Sequence, residues 1–387
     1  MKRIYLDHNA TSPLDKRILE AMYPYLSEKF GNASSLHSFG QEARNAVEKA
    51  RESVAALLNA DPSEIIFTSG GTESDNMALK GYIWKNREKG NHIITSSIEH
   101  HAVLNPLKRL EKKGFKVTYL PVDGGGRVNP DDLKQAITAD TILISIMMAN
   151  NEVGVIEPIE ELVKIAREKG IAFHTDAVQA VGKIEVDVKK LGVDFLSLSA
   201  HKIYGPKGVG VLYIRKGERI EPLITGGHHE RNLRAGTENV PGIVGLGEAA
   251  KIAREERIEE AERISQLRDR LEKGIMENIP HVRINGDVNN RLPNTLNVSF
   301  EYVEGESIIL NLDLQGIAVS SGSACTSGSL EPSHVLLAMG VPPVPAQGSV
   351  RFSLGKDNTE EEIDRVLEVL PPIIDKLRKL SPLYPGE

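Results

Sequence analysis

The sequence predicts an α/β protein: a large domain with a mostly parallel sheet flanked by helices, and a smaller α+β domain at the C-terminal end. With 387 residues, the chain exceeds the size at which one hydrophobic core usually keeps growing. Between about residues 60 and 220, short β-branched runs alternate with longer amphipathic stretches, which is typical of strand-helix-strand units. After Pro241, a long charged helix is followed by apolar runs with helical periodicity between them.

Strands of the large domain are predicted where apolar and β-branched residues follow one another, at 65–68, 92–96, 117–121, 141–147, 172–176, 195–199 and 210–214. Amphipathic stretches predict helices at 73–88, 102–113, 131–137 and 159–169. In the C-terminal part we expect a helix over 241–277, apolar runs at 295–299 and 350–354, and a proline-rich loop at 342–345. Residues 14–250 are therefore expected to form the large domain, and residues 1–13 with 251–387 the small one.

Composition and charge exclude several classes of protein. A net charge of -7 argues against binding nucleic acid through bulk charge. No apolar run reaches membrane-spanning length and the N-terminus lacks the apolar stretch of a secretory signal, so we expect a cytoplasmic protein without membrane contact. A single cysteine, Cys325, excludes an intrachain disulfide and a multi-cysteine zinc site, and no metal site is predicted.

The first candidate binding segment is residues 67–73 (FTSGGTE), where an apolar strand is followed by a glycine pair and then a helix. Gly71 and Thr72 would offer free backbone N–H groups and a hydroxyl at the positive end of that helix, which suits a phosphate. An ordinary capped strand-to-helix turn explains the same residues.

Two further polar side chains are predicted to lie at strand ends, where open α/β sheets bind ligands. Asp176 ends one apolar strand, and its carboxylate could bind the ring nitrogen of a cofactor or simply cap a helix. Lys202 follows the next strand, beside Ser199 and His201, and a lysine in such a crevice can bond to a carbonyl cofactor. Most lysines are only solvated, but this position favours a function.

Cys325 lies in a run of glycines and small hydroxylated residues, 319–334 (VSSGSACTSGSLEPSH). A lone cysteine is usually a small buried hydrophobe. The small, flexible neighbours instead favour an exposed loop thiol that could visit a cofactor and later a partner.

Taken together, these segments resemble the cysteine desulfurases of the nitrogen-fixation and housekeeping iron-sulfur type (NifS/IscS type). Those proteins belong to the class V aminotransferase family of fold-type I pyridoxal-phosphate enzymes. The resemblance is nearly full length and includes, in order, residues 5–13 (YLDHNATSP), 31–37 (GNASSLH), 150–154 (NNEVG), 234–239 (RAGTEN) and 351–355 (RFSLG).

The resemblance implies a bound pyridoxal 5'-phosphate, with Lys202 as its Schiff-base lysine and Asp176 as the partner of its pyridine nitrogen. Gln179 would bind the phenolic oxygen, and His100 would stack on the ring and help to deprotonate a thiol. The remaining implied roles are the phosphate for Gly71, Thr72, Ser199, His201 and, from the other subunit of a homodimer, Thr237; a place beside the cofactor for Asn151; and substrate binding for Asn32 and Arg351.

The resemblance also implies the reaction. L-cysteine would become L-alanine, and its sulfur would pass to Cys325 as a persulfide. The sequence around Cys325 resembles that of the subgroup that transfers sulfur to an iron-sulfur scaffold protein of the NifU or IscU kind. Sulfur transfer for tRNA thiolation is a second possible function. Cys325 could also contact a cluster transiently during transfer.

The chain departs from the common family pattern at three positions. Gly71 stands where alanine is frequent, and His228 and Asn232 stand where glycine is common. The first change is expected to be harmless because the backbone does the binding. The other two make the shape of their loop uncertain.

Two alternatives stay open. Another fold-type I enzyme, an aminotransferase or a selenocysteine lyase, would share Asp176 and Lys202, but an aminotransferase has no use for Cys325. A non-catalytic interaction platform could keep the same fold, but it would be expected to lose the lysine or the cysteine.

Overall fold

The computed structural model describes residues 3–321 and 331–385. Its strands are β1 (Ile4–Tyr5), β2 (Ile65–Thr68), β3 (His92–Ser96), β4 (Lys116–Leu120), β5 (Thr141–Ser145), β6 (Ala172–Asp176), β7 (Phe195–Ser199), β8 (Gly210–Ile214), β9 (Val282–Asn285), β10 (Thr295–Phe300), β11 (Ile317–Ala318) and β12 (Ser349–Ser353). The predicted strands of the large domain are confirmed, although β4 is shifted by one residue and β5 ends two residues early.

The helices are α1 (Lys16–Ser27), α2 (Ser38–Leu58), α3 (Gly71–Asn76), α4 (Tyr82–Asn86), α5 (His101–Glu111), α6 (Pro130–Ala136), α7 (Ile159–Glu168), α8 (Val188–Leu191), α9 (Val240–Asn278), α10 (Gly305–Leu314), α11 (His334–Ala338), α12 (Pro343–Gln347) and α13 (Glu360–Leu380). A π-helical turn, Met77–Gly81, joins α3 to α4, so the helical backbone continues from residue 71 to residue 86. The expected proline-rich loop is wrong, because α12 begins at Pro343. Proline is tolerated in the first turn, where its missing N–H would have no helical partner.

The large sheet positions the functional site. Within the described residues its strand order is β2-β8-β7-β6-β5-β3-β4. Strands β3 to β7 are parallel, and β8 and β2 complete the sheet in antiparallel pairs. Because β6 and β7 run in the same direction, Asp176 and Ser199 end at the same edge of the sheet. This edge is where an open α/β sheet binds its ligand.

A second core lies under the sheet β12-β10-β9 and the parallel pair of β1 with β11. Helix α9 joins the two cores: Ile252 packs in the large core, whereas Ile264 packs in the small one. The N-terminal residues Ile4 and Leu6 also pack in the small core. The predicted division of the chain at residue 250 stays a prediction. No helix in the described ranges is long and apolar enough to cross a membrane.

The loop before α9 has three consecutive non-glycine residues in the left-handed region, Glu230, Arg231 and Asn232, with φ of 42°, 56° and 67°. A buried ion pair fixes this loop, because the Arg51 guanidinium donates to both carboxylate oxygens of Glu230, each at 2.8 Å. Two of the three departures from the common family pattern lie in this loop and contact each other, since His228 Nδ1 lies 2.6 Å from Asn232 Oδ1. Asparagine tolerates positive φ better than most residues, which explains how it can stand where glycine is common.

Replacement of Arg51 by methionine should strongly destabilise the protein, because it leaves the Glu230 carboxylate buried without its partner. Loss of one member of a buried pair costs about 3–5 kcal/mol. The double variant Arg51→Met/Glu230→Gln should recover part of this loss, since a neutral amide can still accept from the backbone N–H of Phe67. Urea unfolding of the three proteins measures the effect. Equal stability of Arg51→Met and wild type would contradict this account.

Candidate active site

A cavity of about 300 Å³ opens at the carboxyl edge of the large sheet. Ten of the predicted site residues line it: Gly71, Thr72, His100, Asn151, Asp176, Gln179, Ser199, His201, Lys202 and Arg351. Six further lining residues were not predicted: Asn9, Ala10, Asp75, Met147, Ala149 and Val178. Its size lies at the lower end of small-molecule sites.

Lys202 lies in a short 3-10 turn directly after β7. Its ammonium donates to the backbone carbonyls of Asn9, at 2.5 Å, and Ala10, at 2.8 Å. Asn9 is itself tied to the small sheet, because its N–H donates to Ser353 Oγ and its amide to Thr295 Oγ1, both at 2.9 Å. Hydrogen bonds through Asn9 therefore link the Lys202 side chain to the small sheet. Residues 5–13 were identified as a motif from the sequence, but no role was predicted for their backbone carbonyls.

Two buried carboxylates line the cavity at the sheet. Asp176 Oδ1 accepts from the N–H of Val178 at 2.9 Å, and burial raises its pKa, while the nearby Lys202 lowers it. Burial, and then the charge of Asp176, raise the pKa of Asp75 well above its usual range. Asp75 Oδ1 has no hydrogen-bond partner among the described residues and lies 3.6 Å from Nε2 of the buried His174. This part of the cavity offers acceptor oxygens suited to a protonated ring nitrogen.

His100 is the N-cap of α5, where its Nδ1 accepts from the N–H of Ala102 at 3.1 Å. Burial and the nearby Lys202 lower the pKa of His100 to about 4. The ring is therefore neutral at pH 7 and carries its proton on Nε2. Because Nδ1 is occupied, Nε2 is the nitrogen left for proton transfer, and the predicted role of His100 as a base stays a prediction.

The glycine pair lies next to Ser199. Gly70 has a φ of 151°, a conformation open essentially to glycine, and it starts the helical segment at Gly71. A Cβ built on Gly70 would lie 3.8 Å from Ser199 Oγ, and one built on Gly71 would lie 2.7 Å from Cγ2 of Val178. This contact gives a reason for glycine at position 71: an alanine methyl would collide with a residue of the cavity wall.

Arg351 lies on β12 at the opposite, small-domain side of the cavity and is 2% exposed. Its guanidinium donates to Asp7 Oδ1 at 2.7 Å and to the carbonyl of Asn151 at 2.9 Å. Its buried Nε has no hydrogen-bond partner among the described residues. A fixed guanidinium with donor capacity left over suits a substrate carboxylate.

Three predicted site residues are not brought into this cavity. Asn32 Oδ1 accepts from the N–H of Ser34 in the turn before α2, and neither Asn32 nor the exposed Thr237 lines the cavity of its own chain. Cys325 lies outside the described residues. The roles assigned to all the site residues stay predictions.

This fold, with a lysine and an aspartate facing one cavity at the carboxyl edge of the sheet, is that of the fold-type I class of α/β enzymes. The chain belongs to the aminotransferase class-V family, whose model matches residues 4–366. It is 61% identical to the cysteine desulfurase IscS of Dictyoglomus turgidum, over 99% of this chain and 97% of the relative. The predicted fold class and family are confirmed.

Solved structures extend this similarity. A NifS-like protein is 47% identical, with a TM-score of 0.92 over 97% of this chain and 100% of its own. A structure of SspA in complex with cysteine is 40% identical, with a TM-score of 0.82 over 92% of this chain and 100% of its own.

Replacement of Gly71 by alanine should weaken retention of pyridoxal 5'-phosphate about tenfold, because Val178, which lines the cavity, must shift to make room for the methyl group. The double variant Gly71→Ala/Val178→Ala should restore most of the affinity, because it removes the colliding methyl. Absorbance of bound cofactor after dialysis measures both effects. Wild-type retention by Gly71→Ala alone would show that the contact is unimportant.

Proposed function

We propose that the protein is a pyridoxal 5'-phosphate-dependent cysteine desulfurase, which converts L-cysteine to L-alanine and leaves the sulfur on Cys325 as a persulfide. The observation that carries this proposal is the single cavity shared by Lys202, Asp176 and Arg351. It brings together a lysine, a carboxylate that could accept from a ring nitrogen and a guanidinium that could bind a substrate carboxylate. The similarity to proteins named cysteine desulfurase supports the same reaction.

The described residues fit pyridoxal 5'-phosphate. The carboxylate of Asp176 would bind the pyridine nitrogen, the amide of Gln179 the phenolic oxygen, and Lys202 the carbonyl carbon. The phosphate would be held by Gly71, Thr72, Ser199 and His201, with His100 against the ring and Asn151 beside it. The unpartnered Asp75 Oδ1 marks a buried polar position that still lacks a donor. When bound, this cofactor withdraws electrons from the substrate α-carbon and so acidifies its proton.

The chain's own groups then bind the substrate and carry protons. Arg351, fixed by Asp7 and by the Asn151 carbonyl, would bind the carboxylate of L-cysteine, with Asn32 near the substrate. Lys202, once free of the cofactor, would take the α-proton. The carbonyls of Asn9 and Ala10 would stabilise its ammonium form.

The sulfur step uses the Cys325 thiolate as nucleophile. Its attack on the substrate sulfur forms an S–S bond and breaks the substrate C–S bond. The electron pair passes to the β-carbon, which takes up a proton and becomes the methyl group of L-alanine. His100 Nε2 carries a proton at this cavity and is the group we assign to proton transfer near the sulfur.

An iron-sulfur scaffold protein of the NifU or IscU type is the proposed acceptor of the persulfide, with tRNA thiolation as a second use. We also propose a cytoplasmic location, where thiols and persulfides remain reduced enough to be passed on. The physical reason for a partner is chemical: a protein-bound persulfide must be attacked by another thiol before the next turnover.

A homodimer is the second part of the proposal, because Thr237 is exposed and does not reach the cavity of its own chain. Exposed apolar side chains within residues 23–39, here called the apolar patch, support it. Phe30 and Phe39 are 73% and 53% exposed and stack with ring centroids 5.7 Å apart. Leu36 is 89% exposed, and Tyr23 and Leu26 are also exposed. Exposed apolar side chains this close in sequence, with two of them stacked, favour a protein interface.

Replacement of Cys325 by alanine should abolish turnover of L-cysteine to alanine and sulfide while leaving the yellow cofactor absorbance unchanged. The reason is that the sulfur acceptor is lost but the cofactor residues are intact. Alanine and sulfide release in the presence of a thiol reductant measure the effect. Full turnover by the variant would favour an aminotransferase or another lyase. A colourless wild-type protein would favour the interaction platform.

Replacement of Phe30 and Phe39 by aspartate should convert the proposed dimer to a monomer, because it places two charges in the apolar patch. Sedimentation velocity measures the mass of the particle. Leu383→Asp is the matched control, since Leu383 is 61% exposed near the C-terminus and outside the patch. A monomeric wild-type protein, or an unchanged dimer in the double variant, would contradict this part of the proposal.

A further inference from the structure

Lys183 is a second lysine near the site whose role the reaction does not explain. It follows Gly182, which has a φ of 78° in a turn where the N–H of Lys183 donates to the carbonyl of Ala180 at 3.0 Å. A Cβ on Gly182 would lie 2.5 Å from Cγ2 of Ile203, so the turn also requires the smallest residue. Lys183 and Lys202 line one small cavity of about 30 Å³ behind the site. Lys183 therefore lies close to Lys202 and the site.

The hydrogen bonds of Lys183 define the orientation of the Gln179 amide. Lys183 Nζ lies 2.9 Å from Gln179 Oε1 and 3.0 Å from its backbone carbonyl. In its protonated form Lys183 only donates, so the amide atom that it contacts is the oxygen. The Gln179 NH2 group is then on the other side, where it donates to the carbonyl of Asn9 at 3.0 Å. Lys183 thus keeps the amide donor directed towards the Asn9 carbonyl beside the cavity.

This orientation matters because the two ends of an amide have nearly the same shape and opposite hydrogen-bonding character. The Asn9 carbonyl also accepts from Lys202, so the Gln179 donor and the Lys202 ammonium converge on one atom. A flipped amide would instead direct an acceptor oxygen at that carbonyl. It would also repel the phenolic oxygen of the cofactor, which is an anion or a strong acceptor.

The surroundings of Lys183 are unfavourable for an ordinary structural lysine. Burial, and then the charges of Lys202 and Arg351, lower its pKa to about 7, whereas Glu260 raises it. Glu260 also accepts from Tyr204, and both residues line the same small cavity. A lysine at such a place, with both of its hydrogen bonds among the described residues directed to one glutamine, indicates a specific task.

We infer that Lys183 is a positioning residue that fixes the side-chain amide of Gln179 with its N–H group towards the cofactor's phenolic oxygen. The inference rests on the proposed function, in which pyridoxal 5'-phosphate binds beside Gln179. Lys183 acts only through Gln179 and does not contact substrate. Its effect should therefore disappear when Gln179 is absent.

A double-mutant cycle on the holoenzyme tests this dependence. Lys183→Met should weaken binding of pyridoxal 5'-phosphate about tenfold, the effect of losing one hydrogen bond to a charged group, and should shift the absorbance maximum of the bound cofactor. Adding Lys183→Met to Gln179→Ala should change neither quantity further. Lys190→Met is the matched control, because Lys190 is exposed and pairs with Glu160 at the surface. It should behave as wild type.

Lys183→Gln keeps a polar side chain but can donate or accept, and it serves if Lys183→Met does not fold; it should also weaken binding. Effects of Lys183 and Gln179 that multiply in the double variant would overturn the inference, as would wild-type affinity and spectrum in both Lys183 variants. A wild-type protein that binds no pyridoxal 5'-phosphate would overturn the proposed function itself. Cofactor binding by wild type separates the two failures.

Discussion

The candidate site depends most on the hydrogen bonds from the Lys202 ammonium to the carbonyls of Asn9 and Ala10. Lys202 follows a strand of the large sheet, whereas Asn9 is tied to the small sheet through Ser353 and Thr295. The pairing of β1 with β11 brings the N-terminal segment to this place. Residues from both cores therefore form the candidate site. A change in the small sheet is expected to alter the position of Lys202.

Burial at this junction determines where the protons are. It raises the pKa of Asp176, and more strongly that of its neighbour Asp75, while it lowers the pKa of His100 to about 4 and that of Lys183 to about 7. Burial thus works against the charged form of each of these groups. Groups with such perturbed pKa values are typical of catalytic sites.

Much of this could be predicted from the sequence. Strand ends marked by Asp176 and Ser199 follow from apolar runs, and the order of the motifs indicated the family. The contributions that were missed have no distinctive pattern in the sequence. Asn9 and Ala10 act through backbone carbonyls, Asp75 reads as a polar residue of an ordinary helix, and the collision of Val178 with a methyl at Gly71 exists only in three dimensions. The short helix α12 was missed because its prolines suggested a loop.

Mass spectrometry of the protein after a single turnover with L-cysteine tests the central claim most directly. Borohydride reduction of the resting enzyme, followed by peptide mapping, locates the cofactor, and mapping after addition of L-cysteine without reductant locates the sulfur. The account predicts the cofactor mass on the peptide that contains Lys202 and one additional sulfur atom on the peptide that contains Cys325, with one alanine released per sulfur bound. Cofactor on another lysine, or alanine formed while Cys325 remains an unmodified thiol, would contradict it.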